Sequence, residues 1–300
     1  MTDFRSLELF YWVAELNSFS KAAERANTTQ PAVSQRIAAL EAEFGVKLFE
    51  RNSRSISLTH QGRKLVDYAE RFLLLRTEMV ADVGSTVAMK GILRLGVSET
   101  IAQTWLSRFM ERAHAVYPNI VIDLTVDVSP TMRDLLGRGE LDLAFLLGPL
   151  GDPTMANREL CAYPLAFIAS PDLDIGEEPL SLARIRNFPI ITYPKATSPY
   201  PRLREALNDP SLPPPRIFGN SSLTTIVRMT LDRIGLSVIP PIVVQKELSE
   251  GRLRIVQTSL TVPDLVFTAA FPLALMGGLA QPMAELAQEV ARQFEAAPGA

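Results

Sequence analysis

Three hundred residues exceed one ordinary domain and suggest about two. Apolar residues make up 47% and charged residues 21%, enough for a sizeable core, which excludes a disordered chain. The net charge of −3 excludes a wholesale nucleic-acid coat, and the lack of an eighteen-residue apolar run predicts no membrane span. The opening stretch, acidic at Asp3 and without a long apolar core, predicts no secretory leader and so a cytoplasmic protein. Cys161 is the single cysteine and His60 and His114 are the two histidines, so no internal disulfide, structural zinc site or other cofactor is expected.

Charge and proline both divide the chain. Residues 1–65 carry nine Lys/Arg against seven Asp/Glu, a modest tilt of +2 that marks this end for inspection. Of 22 prolines only Pro31 precedes Pro118, so the first third is predicted mostly helical. Leu7, Phe10, Val13 and Ala14 recur at helical spacing. Asn17-Ser18-Phe19-Ser20 interrupts and supplies capping hydroxyls for a second short helix over Lys21–Ala26. Asn27-Thr28-Thr29 makes the next turn, and Pro31 opens a third helix that Gly45 closes. A hairpin over 46–58 follows, with Arg51 at its base and Arg54 near its tip. From Thr59 to about Ala88 the pattern is one long helix of roughly 45 Å, with Leu65, Ala69, Phe72, Met79, Val83 and Val87 near one face. The simplest cover for that face is the same helix of a second copy; the chain's own core is the other.

Two short helices joined by a tight turn and followed by a basic hairpin make a winged helix-turn-helix pattern. Thr28, Thr29, Gln30, Pro31, Ser34, Gln35 and Arg36 cluster at the start of the third helix. Gln can pair with adenine and Arg can fork onto guanine, while hydroxyls and helix-start amides suit phosphate. Arg51 and Arg54 suit phosphates or a minor groove. A plain three-helix module with solvated polar ends is the competing reading.

The stretches Phe19-Ser20-Lys21-Ala22-Ala23-Glu24, Thr29-Gln30-Pro31-Ala32-Val33-Ser34-Gln35-Arg36-Ile37-Ala38-Ala39-Leu40-Glu41, Leu48-Phe49-Glu50-Arg51 and Leu58-Thr59-His60-Gln61-Gly62 closely resemble the LysR-type transcriptional regulators. The resemblance implies a winged helix-turn-helix over 1–58, a linker helix over 59–90 that pairs two subunits, and an effector-binding domain over 91–300. It also implies a homodimer or homotetramer that reads interrupted inverted repeats in double-stranded DNA near promoters, with a small-molecule effector and RNA polymerase as further partners. Gln30, Pro31, Ser34 and Arg36 fall on its groove-facing helix, and Arg51 and Arg54 on its wing. His60 departs from the acidic residue or proline common there, and no chemistry attaches to it.

The effector domain is then expected to resemble type 2 periplasmic binding proteins, with lobe 1 over 91–164 and 265–300 and lobe 2 over 165–264. The residues support this separately. Ile92–Val97, Ile120–Val126 and Leu141–Leu147 read as strands of a parallel sheet, with a helix from Ser98-Glu99-Thr100 through Ala113 and another from Ser129-Pro130-Thr131. Leu165–Ala169 is the predicted crossing into lobe 2, where Ile190–Tyr193, Arg216–Phe218 and Leu236–Ile239 read as strands and Leu223–Ile234 as a helix. Leu265–Phe271 leads back, Gln281–Phe294 is a final helix, and Ala296–Ala300 a frayed tail.

Ligands of open α/β sheets collect beyond the carboxyl ends of the strands. Three turns qualify: Ser98-Glu99-Thr100, Ser129-Pro130-Thr131 and Asn220-Ser221-Ser222. Their hydroxyls and helix-start amides suit a carboxylate, although each hydroxyl alone could be an ordinary cap. The family resemblance adds Tyr193, Lys195 and Thr197 of the 193–198 loop, and Gly148, with Lys195 as a source of positive charge. Glu99 is discordant: pointing inward it repels an anion or holds an amino group. A solute-binding protein on the same fold is disfavoured by the helix-turn-helix and the missing leader. An enzyme is disfavoured because no GxSxG, HExxH, Walker loop or GxGxxG is present. Cys161 is expected to be a buried, inert thiol.

Overall fold

The first three helices, α1 (Phe4–Leu16), α2 (Phe19–Arg25) and α3 (Gln30–Phe44), each follow a polar residue and turn one apolar face inward. Asp3 caps α1 by accepting from the Ser6 amide at 2.6 Å, and Ser18 caps α2 by accepting from Lys21 at 3.3 Å. Gly45 ends α3 at a φ of +67°, a left-handed turn that costs glycine nothing. Phe10, Val13, Val33, Ile37 and Leu40 fill the space between the helices. The computed structural model describes residues 3–52, 55–83, 89–275 and 278–296.

The wing is the antiparallel pair β1 (Phe49–Asn52) and β2 (Ser55–Leu58). Its root is held by Glu41, a buried carboxylate of α3 that accepts from the Leu48 amide at 2.9 Å and the Phe49 amide at 3.3 Å. Phe49 packs on Phe10 and Phe19. The long helix α4 (His60–Val83) starts against the same root. Thr59 accepts from the Gly62 amide and donates to the Lys47 carbonyl, and a Cβ on Gly62 would stand 2.1 Å from the Leu48 carbonyl oxygen.

The apolar side of α4 is not one face, as the spacing suggested, but two. Leu65, Val66, Ala69 and Leu73 pack against the helical core. Tyr68, Phe72, Leu75 and Met79, at heptad spacing, are 48–61% exposed. The division arises because α1 covers one side of α4, while on the other Phe72 meets only the edge of Phe4, 6.4 Å away between ring centroids, and stays 48% exposed. The expected segment 84–88, with Val87, the wing tip at Arg54 and most of the tail beyond Ala296 lie outside the described residues.

The remainder forms two sheets. In lobe 1, β3 (Gly91–Val97) leads through α5 (Glu99–Ala102) and α6 (Leu106–Val116) to β4 (Ile120–Val126), then α7 (Ser129–Gly137), β5 (Leu143–Leu147) and β6 (Met155–Tyr163). In lobe 2, β7 (Ala166–Ala169), α8 (Leu182–Ile185), β8 (Ile190–Thr192), α9 (Pro199–Ala206), β9 (Ile217–Gly219), α10 (Leu223–Leu231), β10 (Leu236–Ile239), α11 (Gln245–Ser249) and β11 (Arg254–Val256) follow. The chain returns through β12 (Leu265–Pro272) and ends in α12 (Ala280–Glu295). The sheet orders are β4-β3-β5-β12-β6 and β11-β7-β10-β8-β9.

One expectation changes here. The single helix expected over 98–113 breaks at Gln103–Trp105, where the Thr104 hydroxyl donates to the carbonyls of Thr100 and Ile101 and Trp105 turns into the core. The strands expected to be parallel, β3, β4 and β5, are so, and the strands that carry the chain between lobes make both sheets mixed: β12 runs antiparallel to β5 and β6, and β7 antiparallel to β10 and β11.

The helix-turn-helix rests on lobe 1. Arg25 lies over the Trp12 ring at 4.5 Å and pairs with Asp142, while Leu275 reaches the helical core from below.

Candidate DNA-binding and effector-binding sites

At the start of α3 the polar residues face outward because Val33, Ile37 and Leu40 take the inward positions. Thr29, Gln30, Pro31 and Gln35 are exposed, and Thr28 and Ser34 half-buried. The first intrahelical bond runs from Val33 to the Thr29 carbonyl, so the Gln30 and Ala32 amides precede it and Pro31 has none to lose. The Thr29 side chain makes no capping bond. These donors and the Gln30 and Gln35 amides form one polar edge of the kind that meets phosphates and base edges. Arg36 differs from its expected stance: it donates to Asp3 at 3.0 Å and to Ser6 at 3.3 Å, tying α3 to the start of α1. Both partners are largely solvated, so this pair is worth at most about 1 kcal/mol. Arg51 stands on β1.

The second site lies between the lobes. A cavity of about 300 Å³ has Ser98, Glu99, Thr100, Ser129, Tyr193, Thr197, Ser221 and Ser222 among its lining residues. The strand ends of β3 and β4 meet the starts of α10 and of the 193–198 loop here. Ser129 accepts from the Leu147 amide at 3.0 Å and joins the end of β5 to α7. Thr100 and the Tyr193 hydroxyl share a hydrogen bond of 3.1 Å across the cleft; burial pushes the Tyr193 phenol well above its ordinary value, so it stays protonated. Ser222 is the cap of α10, accepting from Thr225. The Ser98 hydroxyl is buried and has no hydrogen-bond partner among the described residues.

Other expected residues fall elsewhere. Lys195 is exposed and lines a separate depression on lobe 2 beside Tyr200 and Arg204, because the chain turns outward after Pro194. Gly148 lines an adjoining cavity with Pro149 and Arg202. Thr131 sits within α7, and Asn220 accepts from the Ser222 amide at 2.8 Å to shape its turn. Neither lines the cleft. Asp127, with the apolar Val126, Leu147 and Phe267, does line it and was not foreseen, although the strand-end rule points to the residues just after β4. The carboxylate seat expected at α10 is taken by the chain itself: Glu99 accepts from the Leu223 amide at 2.6 Å.

A polar helix start beside a β-wing, joined through a long helix to a two-lobed domain with a ligand-sized cleft, defines a DNA-binding transcriptional regulator with an effector domain. Residues 4–63 match the model of the bacterial regulatory helix-turn-helix, lysR family, and residues 88–292 that of the LysR substrate binding domain; the chain belongs to the LysR-type transcriptional regulators. It is 29% identical to the regulator GltR of Bacillus subtilis over 250 residues, 83% of each chain. In fold it is similar to a full-length OxyR variant from Pseudomonas aeruginosa, with a TM-score of 0.64 and 21% identity over 97% of this chain and 95% of that one. Full-length LysG of Corynebacterium glutamicum with bound effector Arg is also similar, with a TM-score of 0.63 and 18% identity over 97% and 99%.

Proposed function

We propose that this regulator acts as a symmetric pair, with a head over 1–58, a linker over 59–90 and an effector domain over 91–300. Two heads related by a twofold axis read an interrupted inverted repeat at a promoter. Thr28, Thr29, Gln30, Pro31, Ser34 and Gln35 meet the groove and its phosphates, Arg51 and Arg54 meet the flanking backbone, and Arg36 joins them once it leaves Asp3. The observation that carries this reading is the exposed stripe of Tyr68, Phe72, Leu75 and Met79 on α4. An apolar seam at heptad spacing on a helix of roughly 36 Å fits a second copy, and paired helices impose twofold symmetry on the heads. Pairs of pairs give the tetramer.

A small metabolite in the interlobe cleft sets the response, as the LysG likeness with its bound effector supports. Its binding shifts how the lobes close, which moves one subunit against the other and changes the spacing of the heads. The protein acts in the cytoplasm, through RNA polymerase at the promoter, and by binding rather than catalysis. Selection of bound fragments from random duplex DNA by the full-length protein tests this. Two half-sites in inverted orientation are expected; direct repeats or a lone half-site would remove the twofold model.

A further inference from the structure

The cleft between the lobes carries an unusual charge pattern. Among the described residues that line it, the charged ones are Glu99 and Asp127, both acidic. Asp127 accepts at 2.6 Å from the Val128 amide next to it. Glu99 reaches from lobe 1 to the start of α10 in lobe 2, where it accepts from Leu223 at 2.6 Å and Thr224 at 3.5 Å. Gln103 braces it, donating to Glu99 at 3.0 Å and to the Thr224 hydroxyl at 3.3 Å.

The amides at the start of α10 are where a ligand's carboxylate would gain most. Here they already hold one, and an anionic ligand must evict it while meeting two negative charges. A cation meets both charges attractively, since each carboxylate keeps lone pairs beyond those its amide donors use. Val126, Leu147 and Phe267 supply an apolar wall for a carbon chain, and Ser98, a residue only 8% exposed whose hydroxyl is buried and unpartnered, offers a further polar contact.

We propose that the effector of this cleft is a small aliphatic molecule bearing an ammonium group, bound facing Glu99 and Asp127, and that Glu99 is the strap that joins the lobes through α10. This rests on the reading of the cleft as the effector site and specifies its ligand class.

Three compounds with the same five-carbon chain separate charge from shape: cadaverine, 5-aminopentanoate and glutarate. Each is titrated into the full-length protein, with peptide-resolved hydrogen exchange as the readout over residues 96–103 and 220–230. Cadaverine is expected to slow exchange in both segments, 5-aminopentanoate less so, and glutarate not at all. Glu99→Gln and Asp127→Asn should each weaken cadaverine by roughly tenfold or more, the cost of one charge-assisted contact. Glu99→Ala should speed exchange at Leu223 and Thr224 without any ligand and let glutarate protect them. Protection of the wild-type cleft by glutarate rather than cadaverine overturns the charge class and leaves the cleft as the effector site. No protection by any of the three, with exchange at α10 unmoved in Glu99→Ala, overturns the ligand class, the strap and the effector reading of the cleft together.

Discussion

Arg25 of α2 and Asp142, one residue before β5, pair across the boundary between the head and lobe 1, and both side chains are about 90% closed off from solvent. Asp142 is shared. It also accepts from the Arg94 amide at 2.8 Å and the Arg94 guanidinium at 2.9 Å. Arg94 lies on β3, whose far end leads directly into Ser98 and Glu99 of the cleft. One carboxylate therefore touches the head and the strand that carries the effector site.

The sharing predicts an asymmetry between the partners. Arg25→Ala leaves Asp142 paired with Arg94 and loses mainly the Trp12 contact and one ion pair, about 1–2 kcal/mol. Asp142→Ala strands two guanidinium groups and should cost about 3–5 kcal/mol. Urea denaturation of the full-length protein reads both. Equal losses would show that Arg94 does not compensate. If the carboxylate also couples the sites, Arg25→Ala should change how far effector alters DNA affinity, while a double-mutant cycle with a cleft variant gives a non-zero coupling.

The wing root is predicted to fail in acid. Burial pushes the Glu41 carboxyl up, but the Lys47 ammonium and the Leu48 and Phe49 amides outweigh it and hold the group below its ordinary value of 4.5. A carboxylate lowered in the folded state adds stability that is full above the ordinary value and is lost as pH falls through the lowered one. Melting temperature should therefore drop below about pH 4.5 in the wild type, and Glu41→Gln should remove that part of the slope. At pH 7, Glu41→Gln should cost about 1.5–3 kcal/mol. Lys47→Ala should cost under about 1 kcal/mol, because Lys47 is 78% exposed, so water screens its ammonium and can replace it, while the two amides stay in place. A larger loss for Lys47→Ala would reverse that assignment.

Much of this site was legible in the residues, for physical reasons that also mark where legibility stopped. The cap at Ser18, the turn into α3 and the glycine at its end are local, and each is decided by its own side chain or by the absence of one. The turns at Ser98 and Ser222 were visible because strand ends and helix starts carry short-range signals. Strand β6 was not visible: Met155–Tyr163 has no clean alternation, and its place is set by pairing with β12, about a hundred residues later. The break at Gln103–Trp105 contains no glycine or proline, so only the back-bonding of Thr104 and the burial of Trp105 produce it. The direction of Lys195 depends on the course of the chain after Pro194, which adjacency to Tyr193 does not reveal.

The exposed stripe on α4 predicts that a charge at its centre separates the subunits. Leu75 is 61% exposed in the single chain, so Leu75→Glu should leave the folded monomer nearly as stable. In a paired seam the same glutamate is buried without a partner and should cost several kcal/mol of association. Sedimentation of the variant should show a smaller species with an unchanged far-ultraviolet spectrum. A species of unaltered size would place the subunit contact elsewhere.

Cys161 should be inert. It is buried beside Tyr163 and Trp105, and burial pushes its thiol up to about 11. The thiolate, which is the reactive form, is then scarce at neutral pH and shielded from reagents. Iodoacetamide at pH 8 should leave the native protein unlabelled over a period that fully labels it in urea. Prompt labelling without denaturant would show that the core around Trp105 opens, and Cys161 would then need a role of its own.

DNA contacts divide by what each variant does to salt dependence. A side chain that neutralises a phosphate releases counterions, so its loss weakens every sequence alike and lowers the slope of log affinity against log salt by about 1. Arg51→Ala and Arg54→Ala should behave in this way. Gln30 is neutral and exposed at the start of α3, so Gln30→Ala should leave the slope unchanged and broaden the selected base at one position in each half-site, at about 1–3 kcal/mol of lost discrimination. Arg36→Ala is the most informative of the set, because its partner Asp3 is free to keep it when DNA is absent. If Arg36 transfers from Asp3 to DNA, Asp3→Asn should tighten binding while Arg36→Ala weakens it. If both variants bind as the wild type does, the pair only fastens α3 to α1, and recognition rests on Gln30, Ser34 and Gln35.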